Sequence, residues 1–310
     1  MAKESKGIKS ALAALEKRFG EKVVMRMSDK GDSPTNSSGR DDLDAALGGG
    51  YGEGKIIEIY GESGSGKTGL ALEGAKVIQE QGGKVAFIDM EHALNVDYCD
   101  QIGVDIDDLY IAQPAYGEMA FETIRALINS GEIDLIIVDS VASMVPKAEL
   151  EGESGQAFIA LQARMMSQGM KLITGPASIA GCTVIFINQL RKTIVMYGPT
   201  ETTSGGKALK FYSTQRLEIK NRGKLKEGDD VIGFKQEINI VKNKIAPPFK
   251  KVSYELIYGE GIDKDADFVK ALFFEEILIK KGSYIRYDQT FADNPELVEE
   301  LRKKLKEKKQ

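Results

Sequence analysis

The string GESGSGKT, Gly61 to Thr68, limits what this chain can fold into more than any other feature. It fits the phosphate-loop pattern G-x-x-x-x-G-K-[ST]. The apolar run IIEIY precedes it and GLALEGAKVI follows, so the loop joins a strand to a helix. Glycines let backbone N–H groups converge on phosphates without side chains in the way. The helix starting at Thr68 adds its partial positive charge. Lys67 then serves as a cation for the β- and γ-phosphates, and the Thr68 hydroxyl as a Mg2+ ligand. Gly61, Glu62, Ser63, Gly64, Ser65 and Gly66 complete the cradle. The apolar run LIIVD ends at Asp139, where a second Mg2+-holding acid belongs. These residues point to a bound nucleoside triphosphate with Mg2+.

Around the loop the pattern is α/β. Strand-like runs at Lys55–Tyr60, Lys84–Asp89, Leu109–Ala112, Leu135–Asp139 and Thr183–Asn188 alternate with helical stretches. The helical stretches include Thr68–Gln81, Gly117–Ser130 and Ile159–Gly175. Such alternation predicts a P-loop NTPase fold, a mostly parallel twisted sheet covered by helices on both faces. After Phe211 the strands Thr214–Lys220, Glu237–Lys242 and Val252–Tyr258 follow without helices and are expected to extend the sheet as antiparallel strands. Before the core, residues 8–19 have apolar positions every three or four residues, an amphipathic helix. A strand-like Val23–Met27 and a turn-rich linker, Ser28–Gly39, come next. After it, DADFVKALFFEEILIKK reads as a helix, Tyr284–Tyr287 as a strand, and Asn294-Pro295 as the start of a terminal helix. Three parts result: an N-terminal arm over 1–32, an ATPase-type core over 33–262 and a small α+β module over 263–310.

Composition excludes little but helps. A hydrophobic fraction of 42% and a charged fraction of 29% fit a soluble globular protein. No apolar run is long enough for a membrane span, which needs roughly 18 residues. The start leads into no signal-peptide core, and Cys99 and Cys182 stand far apart as reduced thiols, so a cytoplasmic location is expected. The net charge of -5 means that any polyanion must meet a local basic patch. The basic ending Arg302 to Gln310 reads as a solvated helix end.

Two further stretches carry chemistry. Strand 84–89 is expected beside the phosphate-loop strand, bringing Asp89, Glu91 and His92 near the γ-phosphate. Hydrolysis needs a group that orients and deprotonates water, and Glu91 is chosen for it. His92, the lone histidine, is read as structural. The strand VIFINQL ends in Asn188 and Gln189, amides suited to sensing the γ-phosphate. The aperiodic stretch Arg191–Gly206 follows, and long loops of this kind are usually functional or disordered. Its hydroxyls, glycines and cations suit phosphodiester contacts, and Ile194 and Tyr197 could wedge or stack against bases. From composition alone, a DNA contact and a flexible lid both remain open.

The motifs taken together are more specific. IIEIYGESGSGKT, AFIDMEHAL, DLIIVDSVASMVPKAELEGE, ARMMSQ, FINQLR, ETTSGGKALKFY, IVKNKIAPPF and IYGEGI stand in the order and spacing of the RecA family of bacterial and phage recombinases. The chain resembles that family over nearly its whole length. The resemblance implies that Glu91 activates water and that Gln189 senses the γ-phosphate. It implies that Tyr98 stacks on adenine and that Tyr258 and Gly259 line the same site. Lys242 and Lys244 would reach the ATP of a neighbouring subunit. Lys210, Phe211 and Arg216 would couple ATP to the subunit interface. The stretches 149–159 and 191–206 match two DNA-binding loops. In and beside them Ile159, Arg164, Ser167, Lys171, Arg191, Ile194, Gly205 and Gly206 match strand-contacting positions. The arm matches a segment that docks on the next protomer.

The implied activity is an ATP-dependent recombinase that forms helical filaments on single-stranded DNA and pairs it with homologous duplex. Single-strand-binding and loading proteins are further expected partners, and no membrane is. A ring-shaped DNA-dependent ATPase motor and a signalling filament are the competing readings. Departures from the pattern include Asn95, where many members have Asp near adenine, and Glu237, where members tend to be basic. The second DNA loop is one residue shorter. The final module is abbreviated between Tyr287 and Asn294 and lacks an acidic tail, which suggests a phage-encoded or reduced member.

Overall fold

The structure is a computed structural model that describes residues 6–19, 24, 26, 33–152, 160–192, 201–257, 261–262, 264–274, 276–281 and 284–287. It divides into two units, Met1–Pro34 and Thr35–Gln310. In the first, helix α1 spans Lys6–Phe19 as its periodicity predicts, with Ile8 and Phe19 exposed. The expected strand Val23–Met27 lies outside the described residues, Val24 and Arg26 apart.

The second unit opens with a small ladder, β1 (Thr35–Asn36) with β2 (Tyr51–Gly52), around helix α2 (Asp41–Leu47). The core then runs β3 (Ile56–Gly61), α3 (Lys67–Glu80), β4 (Val85–Asp89), α4 (Val96–Ile102), β5 (Leu109–Ala112), α5 (Gly117–Ser130) and β6 (Leu135–Asp139). It continues with α6 (Lys147–Leu150), α7 (Leu161–Ala180), β7 (Thr183–Lys192), β8 (Glu201–Thr203), α8 (Ala208–Tyr212) and the long strands β9 (Gln215–Glu227) and β10 (Asp230–Asn243). The chain closes with β11 (Lys251–Ile257), β12 (Gly261–Ile262), α9 (Lys264–Phe274), β13 (Leu278–Lys281) and β14 (Tyr284–Tyr287).

One sheet organises this unit, in the order β12-β11-β10-β9-β3-β7-β6-β4-β5. Strands β3, β4 and β6 are buried along their full length, their residues being apolar on both faces except Glu58 and the terminal acids Asp89 and Asp139. Alternation then sorts the side chains. Ile57, Ile59, Phe87, Ile137, Ile185 and Ile187 pack with Leu70 and Ala75 of α3. Ile56, Ile88, Val138, Val184 and Phe186 pack with Phe121 of α5 and Met166 and Ile173 of α7. A helix layer thus covers each face, as the sequence predicts.

Several elements differ from the sequence reading. Strand β4 is not beside β3; β7 and β6 lie between them. Strand β9 pairs parallel with β3, so the antiparallel extension begins only at β10. Strands β9 and β10 also run well past their predicted ends as one hairpin. The outer half of β9 is largely exposed and carries no hydrophobic alternation to reveal it, while that of β10 is half-buried and pairs with β11 from Gly233 onward. Helix α7 passes through Pro176 and stops only at Gly181, which takes the left-handed conformation. The predicted helix to Lys281 ends at Phe274; Glu276 adopts φ 58°, and ILIKK supplies strand β13 instead. The proposed terminal helix from Asn294 lies outside the described residues.

A buried charged cluster ties α9 to this unit. Arg40 is 1% exposed and donates to Asp42 and to Asp267 of α9, each at 3.0 Å. Its guanidinium lies 3.9 Å from the ring centre of Tyr254. Removing one partner of a buried ion pair strands the others without compensation. Arg40→Met should therefore lower unfolding free energy by about 3–5 kcal/mol in urea titrations; a midpoint equal to wild type would show the cluster idle.

Candidate nucleotide site

The site forms along the carboxyl rim of the central strands. Parallel register sets Gly61 of β3 opposite Gln189 of β7. Asp139 closes β6 in line with Asp89 of β4. The phosphate loop follows Gly61 directly. Gly64 and Gly66 have φ of 71° and 76°, a region that glycine occupies without strain. A β-carbon on Gly61 would come 2.4 Å from the carbonyl oxygen of Ile219, so this position needs glycine for space. The Ser65 hydroxyl is buried with no hydrogen-bond partner among the described residues. An unmet hydroxyl inside an N–H-lined loop fits an incoming anion.

Lys67 opens α3, and its ammonium donates to the Glu62 carbonyl at 2.6 Å. Burial lowers its pKa, an effect that Asp139 and Glu91 oppose. The Thr68 hydroxyl donates to Asp139 at 2.6 Å. Burial pushes the Asp139 carboxyl up to about 6 despite that bond. A hydroxyl and a carboxylate joined in this way are the two protein groups that Mg2+ takes beside a triphosphate. Among the described residues no three acidic, histidine or cysteine side chains are placed to hold a metal ion together, so the donor set suits a Mg2+ that shares phosphate oxygens, not a dedicated metal cage.

Glu91 reaches this rim although β4 is three places from β3. The Met90 amide extends the pairing by donating to the Asp139 carbonyl at 2.7 Å. The Asp89 carboxylate, itself held by Gln113 at 3.1 Å, accepts the amides of Ala93 and Leu94. That folds the segment over the end of β6. The Glu91 carboxylate then accepts from the Ser140 hydroxyl and, at 3.1 Å, from the Gln189 amide nitrogen. His92 sits exposed in the same turn with φ 53°. A cavity of about 250 Å³ is lined by Thr68, Asp89, Glu91, Asn95, Tyr98 and Asp139, among others. The Tyr98 hydroxyl lies over the first turn of α3, where a β-carbon on Gly69 would meet it at 2.4 Å. The Asn95 side chain caps α4 by accepting the Tyr98 amide at 3.0 Å. Asparagine caps as well as aspartate, so this departure from the family pattern keeps the tyrosine's helix in place.

The remaining sequence-derived residues fall in four groups. Arg164, Ser167 and Lys171 follow one another along α7. Gly205 and Gly206, with φ of 81° and 75°, press onto the same helix; β-carbons there would come 3.1 Å from Met166 and 2.7 Å from Ala163. Arg191 lies in a ladder unseen in the sequence, where Leu190, Arg191 and Lys192 of β7 pair with Thr203, Thr202 and Glu201 of β8. Lys242 and Lys244 are away from the cavity; the Lys242 ammonium donates to the carbonyls of Lys210 and Phe211 at 3.0 and 3.1 Å. Phe211 is exposed and Arg216 buried. Ile159, Ile194, Tyr197, Tyr258 and Gly259 lie outside the described residues. Ser140 was missed in the sequence. Its position directly after Asp139 was the available signal, but a serine there has many ordinary uses.

Comparison with known proteins agrees with the motifs. Residues 6–263 match the model of the RecA N-terminal domain. A protein named Protein RecA from Fusobacterium nucleatum is 47% identical over 98% of this chain and 85% of its own length. Proteins of the same name from Streptomyces venezuelae and Acinetobacter baumannii are each 44% identical over 98% of the chain, and over 84% and 92% of their own lengths.

The raised Asp139 pKa has a sign that can be checked. The folded carboxyl at about 6 holds its proton more tightly than the unfolded one at 3.8. Its unfavourable contribution to stability is therefore full above pH 6, shrinks as pH falls through 6, and vanishes below 3.8. Asp139→Asn should raise the stability of the nucleotide-free protein at pH 8 by about 2–3 kcal/mol and leave it unchanged near pH 4, as read in urea titrations.

Proposed function

The chain belongs to the RecA family, and on that premise we propose that it works as an ATP-operated switch on single-stranded DNA. As a member it is a DNA recombinase and a DNA-dependent ATPase, and it binds nucleotide, binds DNA and assembles into filaments. In our reading ATP and Mg2+ fill the cradle Gly61–Thr68 between adjacent protomers in the cytoplasm. Mg2+, when bound, neutralises charge that develops on the phosphate oxygens. Lys67 exchanges the Glu62 carbonyl for phosphate. Thr68 and Asp139 hold the metal, Tyr98 covers the base, and Lys242 and Lys244 complete the site of a neighbour. Arg164, Ser167, Lys171, Arg191, Gly205 and Gly206 face the strand, and a homologous duplex is the second DNA partner.

Glu91 orients the attacking water and accepts its proton. The observation that carries this reading is its shared carboxylate. Gln189 donates to Glu91 and stands one residue before the β7–β8 ladder. A γ-phosphate oxygen, being more highly charged, competes for the Gln189 amide. When it wins, Glu91 loses a hydrogen bond and becomes a stronger base, and the backbone leading into residues 191–206 feels the change.

Steady-state ATPase assays with and without a single-stranded oligonucleotide test this. Wild type should hydrolyse ATP faster with DNA. Glu91→Gln should bind ATP and DNA yet lose about 100-fold or more in turnover, the usual range for removing a general base. Lys67→Ala should lose nucleotide-dependent DNA binding. DNA-independent turnover in wild type, or near-normal turnover in Glu91→Gln, would contradict the assignment.

A further inference from the structure

Alternation along β7 puts its last two amides on opposite faces of the sheet. Gln189 points to the nucleotide side, and Asn188 to the side covered by α7. Asn188 is fully buried. Its oxygen accepts the Gln189 amide N–H at 2.9 Å. Its nitrogen donates to the Ser204 carbonyl at 3.1 Å and to Glu58 at 3.0 Å. Ser204 lies just beyond β8, at the close of the stretch that begins at Arg191.

Glu58 extends the connection sideways. It is a carboxylate in the middle of the apolar strand β3 and 0% exposed. Its second oxygen accepts from Arg216, its parallel-register partner on β9. Arg216 is stacked 4.6 Å from the ring centre of Tyr60 and is paired in register with Lys242 of β10. Burial lowers the Lys242 pKa, Lys244 and Arg216 lower it further, and Glu58 opposes them. An unbroken line of hydrogen bonds therefore runs Glu91–Gln189–Asn188–Glu58–Arg216, with a branch to Ser204, and Arg216 stands beside Lys242 in the β9–β10 pairing. Burying a carboxylate and a guanidinium gains little stability over an apolar pair, so stability alone does not explain their presence.

We propose that Asn188 and Glu58 are positioning residues that couple the nucleotide site to the DNA-facing stretch 191–206 and to the β9–β10 edge. The proposal rests on the switch reading above. Asn188 holds one carbonyl of the DNA-facing stem and the backbone of the γ-phosphate sensor in a single hydrogen-bonded unit. Glu58 fixes that unit against Arg216. A shift of Gln189 toward phosphate then moves Ser204 and Arg216 together instead of being absorbed locally.

The test measures single-stranded oligonucleotide affinity with and without a non-hydrolysable ATP analogue, by fluorescence anisotropy. Asn188→Ala and Glu58→Gln are compared with the equally buried control Ile187→Val. Thermal melts confirm that each is folded, and Glu58→Gln combined with Arg216→Gln removes both charges should the single change unfold the chain. The ratio of the two affinities should fall toward one in the Asn188 and Glu58 variants, a loss of about fivefold or more, the lower end of ordinary allosteric coupling. Ile187→Val should keep the wild-type ratio although its melting temperature falls. Wild-type ratios in the folded Asn188 and Glu58 variants, or an equal loss in Ile187→Val, would overturn the proposal. A wild-type ratio near one would instead overturn the switch reading itself.

Discussion

Everything at the site depends on the parallel pairing of β3 with β7 and of β7 with β6. That ladder sets Gly61 beside Gln189 and carries Asp139 to the same rim. Each strand buries both faces, so a shift of one residue would move every side chain into the opposite buried layer, where it is not fitted, and is opposed by close packing. The register that protects the core therefore also places the phosphate loop, the metal-holding acid and the sensing amide. Glu91 arrives by a different route, through a loop that Asp89 folds over the end of β6.

The site gathers charged groups at positions where burial works against their charge. Burial disfavours the charged forms of both Lys67 and Asp139. The Ser65 hydroxyl lacks a partner among the described residues, and Lys67 is satisfied by a loop carbonyl. A triphosphate with its metal would supply the missing partners for all of them. Binding energy is then available for more than holding ligand, and the Gln189–Asn188 pair is the nearest structure on which it can act.

Much of this was legible in the chain itself. The phosphate loop, the acid at Asp139 and the β-strands around them announce themselves because buried parallel strands are continuously apolar and the loop needs glycines at fixed places. Sheet order was not legible. Nothing in VAFID or LIIVD says which strand neighbours which, and the expectation that β4 adjoins β3 failed for that reason. The outer half of β9 was hidden because a solvated strand leaves no alternation, and the β7–β8 ladder because three pairs are too short to show a period. Glu58 is the instructive case. A carboxylate inside IIEIY was visible, but its partners Asn188 and Arg216 are 130 and 158 residues away and meet it only once the sheet is built.

The central claim is that nucleotide and single-stranded DNA act on one switch, and linkage makes that reciprocal. The most direct test is calorimetric. The affinity of the wild-type protein for a non-hydrolysable ATP analogue is measured alone and with saturating single-stranded oligonucleotide. The account predicts tighter nucleotide binding in the presence of DNA, by at least about fivefold, the lower end of ordinary allosteric coupling. Identical nucleotide affinity in the two conditions would contradict it.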